Sequence, residues 1–141
     1  MNPEQIRETL AHLLSQLTPD VHTMEGMKGW EQVGSILSFH EIGQFGLRIS
    51  ASEEGAFLFE AIFGTLPLTK DNLLLLNTYN LSSIFRGAVD EDGYLNIDYS
   101  YFGIRNTKEL EDVFVHLLHT FSDPEHLEIL KSVVRNAVFS A

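Results

Sequence analysis

The sequence predicts an α+β fold, an antiparallel five-stranded sheet with helices packed on it, in the order α-β-β-β-α-β-β-α-α. Two observations indicate this class. Apolar residues recur at helical spacing towards both ends of the chain and at alternate positions in its middle, and short acidic loops that end in glycine join the alternating stretches. Because hairpin loops join neighbouring strands, we expect antiparallel pairing, and helices can then cover one face of the sheet.

The first helix begins at a capping signal. Asn2 can cap it, Pro3 suits its first turn, and Gln5 stands at the capping-box position. Its apolar stripe consists of Ile6, Leu10, Leu13, Leu14 and Leu17. The following segment, 21–33, has no clean period and contains two glycines, which predicts an irregular connection.

Three strands are expected next, at residues 35–41, 45–51 and 56–63. The four-residue loop 52–55, with sequence SEEG, joins the last two as a hairpin, because its length and its final glycine are common in such loops.

A helix separates these strands from a second hairpin. Four consecutive leucines fit either a strand or a helix by periodicity. The length of the segment and the possible cap at Thr69 indicate a helix. Strands 84–90 and 94–102 follow. In the second of them, Leu95, Ile97, Tyr99 and Tyr101 alternate strictly with polar residues, which is typical of a strand with one face in water.

Two helices close the chain. The first begins at Asn106 or Thr107, and the second begins at Ser122 or Asp123, just before Pro124. Their apolar stripes are Leu110, Val113, Phe114, Leu117, Leu118 and Phe121 in the first helix and Leu127, Leu130, Val134 and Val138 in the second. No repeat or linker divides the chain, so residues 1–141 are predicted to form one domain.

Composition excludes several classes of function. The formal net charge of −11 argues against a nucleic-acid or anionic membrane partner, and it fits either simple solubility or a basic partner. The absence of cysteine excludes disulfides and thiolate chemistry. The first ten residues lack the features of a secretory signal, and no apolar run approaches the ~20 residues that span a bilayer, so we expect a cytoplasmic protein.

No complete catalytic or cofactor motif is present in the sequence. His116 and His119 lie three residues apart on a predicted helix, but a zinc site needs three or four converging ligands. The segment Asp90 to Gly93 contains a fragment of a calcium loop and is typical of a hairpin turn. We therefore predict no enzymatic activity, no cofactor and no metal site. A metal-dependent enzyme that uses the two histidines is the less favoured alternative.

Two arginines stand in the middle of strands among apolar neighbours. The aliphatic stems of Arg48 and Arg86 can cross the sheet surface so that the guanidinium groups reach water, which is the favoured interpretation. Alternatively, one of them pairs with Glu60 or with a carboxylate of a partner.

The strand 56–63 is apolar on both sides, which is unusual for a sheet with one wet face. If the hairpin pairs Ala51 with Ala56, then Phe57 and Phe59 lie beside Arg48 on the face away from the helices, and a slip of one residue exchanges the two faces. In either register one apolar row lacks an obvious cover. The cover is either a partner protein or the chain itself, through its last helix or the segment 21–33.

The order of elements resembles the small acidic dimeric chaperones of bacterial type III secretion and the related YbjN-type domains. The most specific local match is to the YbjN side, over Leu73 to Tyr101, where a helix with Asn77 and Asn80 leads into a strand, an acidic glycine turn and an alternating strand. The last helix extends past the usual pattern. The resemblance implies no catalytic residues, a client or effector protein held on the first three strands, and a homodimer.

The resemblance also implies a role for particular residues. It implies that Phe57, Phe59 and Ile62 bind the client and that Leu76, Ile84 and Phe85 form the dimer interface. The two mid-strand arginines, which can pair with a carboxylate of a partner, are added to these sets, so Arg48 is expected among the partner-binding residues and Arg86 at the dimer interface. The predicted function is therefore a non-catalytic, type III secretion chaperone-like domain that holds a client polypeptide on an apolar sheet surface. The alternative is a YbjN-type regulatory or stress-related domain with transient partners.

Overall fold

The computed structural model describes residues 1–138 and confirms the α+β class. Within that range the elements are α1 (Pro3–Ser15), β1 (His22–Met24), β2 (Trp30–Phe39), β3 (Gly43–Ser52), β4 (Ala56–Thr65), α2 (Lys70–Ser82), β5 (Arg86–Val89), β6 (Tyr94–Phe102), α3 (Thr107–Ser122) and α4 (Pro124–Val134). The last three residues of the predicted domain, 139–141, lie outside the described residues.

The sheet is antiparallel throughout, with the strand order β1-β2-β3-β4-β6-β5. It has six strands where five were predicted, because β1 forms inside the segment expected to be irregular and pairs with Gln32–Gly34. All three residues of β1 are exposed, so this strand has no alternation of apolar and polar residues for a pattern to detect.

Each predicted helix start is confirmed by a side-chain cap, which supplies an acceptor to a backbone N–H that the helix leaves unpaired. In α1 the Asn2 side chain accepts from the Gln5 N–H at 2.9 Å, and the Gln5 side chain accepts in return from the Asn2 N–H. The caps of α2, α3 and α4 are Thr69, Asn106 and Asp123.

The helices pack on one face of the sheet, which we call the inner face. Helix α1 contacts β1, β2, β3 and α3, helix α3 contacts β4, and α4 packs against α2 and α3. A cluster of aromatic rings occupies the centre of this core, and it includes Phe45, Phe59, Phe85, Phe114 and Phe121. The opposite face of the sheet, which we call the outer face, carries Arg48, Glu60 and Ile62.

Candidate functional site

The prediction that Phe57 and Phe59 stand on an uncovered face is wrong. Both rings are buried in the core on the inner face. The hairpin pairs Ala51 with Phe57 and Ile49 with Phe59, which is one residue away from the pairing of Ala51 with Ala56 and is therefore the other of the two possible registers. In this register the phenylalanine row of β4 lies on the same face as the apolar row of β3.

The conformation of Gly55 explains the register. Its φ of +92° is left-handed, and the Gly55 N–H donates to the Ser52 carbonyl at 3.1 Å, so the tight loop contains three residues rather than four. A Cβ at this position would lie 2.5 Å from the Ile104 carbonyl oxygen, so the turn is also packed against the chain after β6. Glycine is therefore required here both for its backbone angle and for space.

A row of four charges crosses the centre of the outer face. The Arg48 guanidinium donates two hydrogen bonds to Glu60, at 2.9 and 2.8 Å, on the neighbouring strand. Asp98 follows on β6, 4.0 Å from Arg86 on β5. The alternative that Arg48 pairs with Glu60 is thus confirmed, because directly opposed residues on one face lie within reach of each other.

The two ion pairs differ in geometry and in their effect on ionisation. The hydrogen bonds with Glu60 raise the pKa of Arg48. A bidentate pair between an arginine and a carboxylate is stronger than a hydrogen bond between neutral groups. Burial raises the pKa of Asp98, and Arg86 offsets this only in part because its side chain is mostly exposed. Asp98 is therefore the less well compensated carboxylate of the row.

An apolar area adjoins this charged row, and we call it the outer apolar patch. It consists of Met24, Gly34, Ile36, Gly46 and Ile62, and it borders a shallow cavity of about 320 Å³. Ile36 is 58% exposed although it lies within a ten-residue strand. The two glycines contribute no side chains, so Ile36 and Ile62 remain accessible from solvent. Of the predicted partner-binding residues, Ile62 and Arg48 lie on this face.

A second groove follows the free edge of β2. Strand β1 pairs only with Gln32–Gly34, so within the described part of the chain residues 35–39 have no strand on that side. The groove has a volume of about 410 Å³ and is lined by Leu17, Thr18, Pro19, Ile36, Leu37, Ser38, Phe39, Leu118 and Ser122. It thus combines an unpaired strand edge with a largely apolar wall.

The opposite edge of the sheet is closed by a side chain. The Asn80 amide donates to the Gly87 carbonyl at 3.0 Å and accepts from the Gly87 N–H at 2.6 Å, so it occupies both edge groups of that residue. Of the two asparagines noted in the sequence, Asn77 and Asn80, this contact gives Asn80 a structural role at the sheet edge. Asn77 is exposed.

The four predicted dimer residues are divided between the core and the surface. Phe85 is buried among aromatic rings, so its assignment to an interface is wrong for this arrangement of the chain. Leu76 is half-buried against β5, whereas Ile84 and Arg86 are exposed. Sequence reasoning missed the exposed leucines of α2, which are Leu73, Leu74 and Leu81. Four consecutive leucines were a usable signal, since one helix face cannot bury all of them.

A buried hydrogen-bond chain ties α4 to α2, and the sequence did not predict it. His126 Nδ1 lies 2.6 Å from the Phe121 carbonyl, which can only accept, so Nδ1 carries the proton and Nε2 accepts from the Tyr79 hydroxyl at 2.8 Å. Ser83 donates to the same hydroxyl. Burial lowers the pKa of His126 and raises the pKa of Tyr79. Burial therefore favours the neutral form of both side chains in this series of hydrogen bonds.

The two histidines considered for a metal site lie at the surface. His116 and His119 are both exposed on α3, and among residues 1–138 no three histidine, aspartate or glutamate side chains are grouped so that they could hold a metal ion. Over the same range, no helix is both long and apolar enough to cross a membrane.

Comparison with known proteins identifies the fold. No family model matches the chain, and no curated protein matches it in sequence. Similar solved structures include one chain of the ExsC–ExsE complex, with a TM-score of 0.53 and 16% identity over 94% of this chain and 95% of that one. Another is a chain of the heterodimeric ExoU–SpcU complex of the type III secretion system of Pseudomonas aeruginosa, with a TM-score of 0.42 and 18% identity over 85% and 96%. At these identities the likeness is one of fold.

Proposed function

We propose that this chain is a non-catalytic binding domain of the type III secretion chaperone kind, which holds a client polypeptide on the outer face of its sheet. The outer apolar patch is the observation that carries the proposal. The fold shared with a chain of the ExsC–ExsE complex supports it, since that protein is seen together with a protein partner.

The patch favours an extended or amphipathic segment as the bound element. Full burial of an isoleucine side chain contributes roughly 1.5–3 kcal/mol, so Ile36 and Ile62 together can supply a substantial part of a binding energy. Gly46 lies between Ile36 and Ile62 without a side chain, so the main chain of a ligand can approach the sheet closely there, whereas Gly34 is covered by the Met24 thioether.

The free edge of β2 adds a second mode of contact to the patch. An extended segment can pair its backbone with residues 35–39 while its alternate side chains enter the groove beside Leu118. Addition at β5 is disfavoured because Asn80 already occupies the edge groups of Gly87. One edge of the sheet is therefore open to a strand and the other is blocked.

Ile36→Asp is expected to abolish client capture and to leave the fold intact. Its side chain is mostly exposed, so the change costs little stability, whereas a bound segment would bury the new carboxylate without a partner. The tagged protein is purified from the source cells, and the amount of polypeptide that co-purifies with it is measured relative to the tagged protein. The thermal midpoint of the variant shows whether it is folded.

Val115→Asp is the matched control, because it makes the same kind of change at an exposed apolar residue of α3, away from the sheet. It should retain the client at the level of the unchanged protein. Equal capture by both variants would contradict binding at the patch. Capture of no stoichiometric partner by the unchanged protein would favour the YbjN-type alternative with transient partners.

We further propose that two copies associate through the exposed side of α2 and the start of β5. The supporting observation is the exposure of Leu73, Leu74, Leu81 and Ile84, of which Leu81 is 82% exposed. Arg86 follows Ile84 by two residues, and Leu76 is half-buried against Gly87 of β5.

Leu81→Asp is expected to convert a dimer into a monomer without unfolding it, because the new charge would be buried only when two copies meet. Sedimentation equilibrium of the two proteins at equal concentration measures this change in mass. A monomeric mass for the unchanged protein at tens of micromolar, or an unchanged dimer in the variant, would exclude the interface.

A further inference from the structure

Strand β1 lies on both of the features that the proposed function assigns to the client. It pairs with Gln32–Gly34 and so occupies the part of the β2 edge that continues into the open part at 35–39. It also covers one end of the outer apolar patch, because a Cβ added to Gly34 would lie 2.8 Å from the Met24 sulfur. A short strand of the chain itself therefore stands where an added strand and one of its side chains would bind.

The contacts that hold β1 in this place are few. All three of its residues are exposed, and Met24, its only large apolar residue, is 41% exposed. Within the described part of the chain, no side chain of residues 21–29 forms a hydrogen bond or an ion pair. Segments with little apolar burial and exposed backbone hydrogen bonds open at the lowest free energies in a protein. Strand β1 therefore belongs to the least stable part of the sheet.

The segment that carries β1 can leave the sheet without disturbing the core. The Ser35 hydroxyl donates to the Asp20 carbonyl at 2.6 Å, and this hydrogen bond fixes the start of the segment. Helix α1, which precedes it, is held separately by its own buried face. Release of residues 20–29 would break the bond with Ser35 and the pairs of β1, and it would expose the partly buried Val21.

We propose that β1 is an internal occupant of the client site and that the bound polypeptide displaces it; the inference rests on the proposed function. With β1 in place, an added strand ends beside Asp20 and has only residues 35–39 of β2 to pair with. After displacement, the same strand pairs with β2 from residue 32 to residue 39. Met24 then marks the place of an apolar client side chain, which packs on Gly34 instead of the thioether.

Displacement makes the affinity for the client depend on how firmly β1 is docked. A ligand that binds only the undocked state has an apparent Kd equal to its intrinsic Kd divided by the undocked fraction of the protein. A change that loosens β1 therefore strengthens client binding. If Met24 instead stayed in place and contacted the client, truncation of its side chain would weaken binding. The sign of the effect separates displacement from direct contact.

The first test is the Kd of Met24→Ala for the polypeptide that co-purifies with the unchanged protein. That polypeptide is identified by mass spectrometry and purified as the titrant for calorimetry. We expect the Kd to fall about fivefold, because β1 loses its contact with Gly34. Met27→Ala is the matched control, since Met27 lies in the same segment and is 72% exposed, and its Kd should not change. An unchanged or higher Kd in Met24→Ala overturns the inference.

The second test fixes β1 to β2 by a disulfide in the double variant Met24→Cys/Gln32→Cys. The two residues are directly opposed, and the Cα atoms of such pairs lie about 4.5–5.5 Å apart, within the range that a disulfide spans. The chain has no other cysteine. The oxidised form should bind the same polypeptide at least about tenfold more weakly than the reduced form, with no loss in thermal midpoint.

The unchanged protein, taken through the same oxidation and reduction, is the control and should show no change in Kd. Equal affinities of the oxidised and reduced double variant would show that β1 stays docked when the client binds.

The outcomes separate this inference from the proposed function. Loss of capture in Ile36→Asp, together with equal binding by the oxidised and reduced double variant, would preserve the proposed function and remove the displacement of β1. Retained capture in Ile36→Asp with weaker binding by the oxidised form would remove the patch and leave the β2 edge as the client site. Capture of no stoichiometric partner by the unchanged protein would remove both.

Discussion

Phe59→Asp is expected to prevent folding, whereas Leu58→Asp, one residue earlier, should leave the protein folded. The Phe59 ring is fully buried and lies 5.6–6.4 Å, between centroids, from the rings of Phe85, Phe114 and Phe121. Loss of a core phenylalanine costs about 3–5 kcal/mol, and a buried carboxylate adds several more. Since domains are stable by about 5–15 kcal/mol, the sum is comparable to the whole free energy of unfolding.

Far-UV circular dichroism and urea denaturation of both variants measure the difference. Leu58 is the control because it lies on the same strand, is similar in size and faces the half-buried outer side. A folded Phe59→Asp protein with an unchanged urea midpoint would mean that β4 pairs in the other register. The comparison therefore tests which row of β4 faces the helices.

That choice of face is where the sequence was least informative. Both rows of β4 are apolar, so the pattern alone could not select between them, and a one-residue difference in the loop reverses every side chain. The structure places Gly55 in a left-handed conformation against Ile104, a contact between residues almost fifty positions apart. A long-range contact of this kind cannot be read from the four loop residues.

Features set by local chemistry were predicted correctly. The caps at Asn2 and Thr69 depend on side chains within three residues of the N–H groups that they satisfy, and both were assigned from sequence. The expectation that one apolar row of β4 lacks a helical cover also holds in part, since Leu58 and Ile62 are only half-buried. The prediction was wrong in the row that it named, because the register, which the sequence left open, turns Phe57 and Phe59 towards the helices.

The candidate site was recovered only in part for the same reason. The predicted set contains Ile62 and Arg48, which lie on the outer face, but it does not contain Ile36, which is exposed while the adjacent Leu37 is buried in the core. Ile36 and Leu37 are adjacent apolar residues between Ser35 and Ser38, so the alternation of apolar and polar residues does not show which of the two faces inwards. The pairing of Ile36 with Gly46, which leaves it without a large neighbour, became evident only from the sheet.

Acidification is expected to destabilise the protein through His126. Burial lowers the pKa of this imidazole below its ordinary value of about 6.5, so over the interval between the two values the unfolded chain binds more protons than the folded one. The free energy of unfolding therefore falls as the pH decreases below about 6.5. At higher pH the neutral ring accepts from Tyr79 and donates to the Phe121 carbonyl, and its contribution is complete.

The groups around His126 support this direction. Tyr79 and Ser83 on the α2 side are uncharged, the rings of Phe85 and Phe121 pack against the imidazole, and Asp123 is the acidic group that acts on it. Asp123 favours the charged ring, but burial outweighs it. Protonation would also place a donor at Nε2, opposite the hydroxyl hydrogen that now points towards it.

His126→Gln tests this dependence, because the glutamine side chain can still accept a hydrogen bond but does not titrate. Urea denaturation of both proteins from about pH 7.5 to 5 should show a steeper loss of stability in the unchanged protein. The raised pKa of Asp98 acts in the opposite direction at lower pH, and it cancels in the difference between the two curves. The exposed-site control, His119→Gln on α3, should follow the unchanged protein at every pH. Parallel curves for the unchanged protein and His126→Gln would show that His126 is not held neutral between α2 and α4.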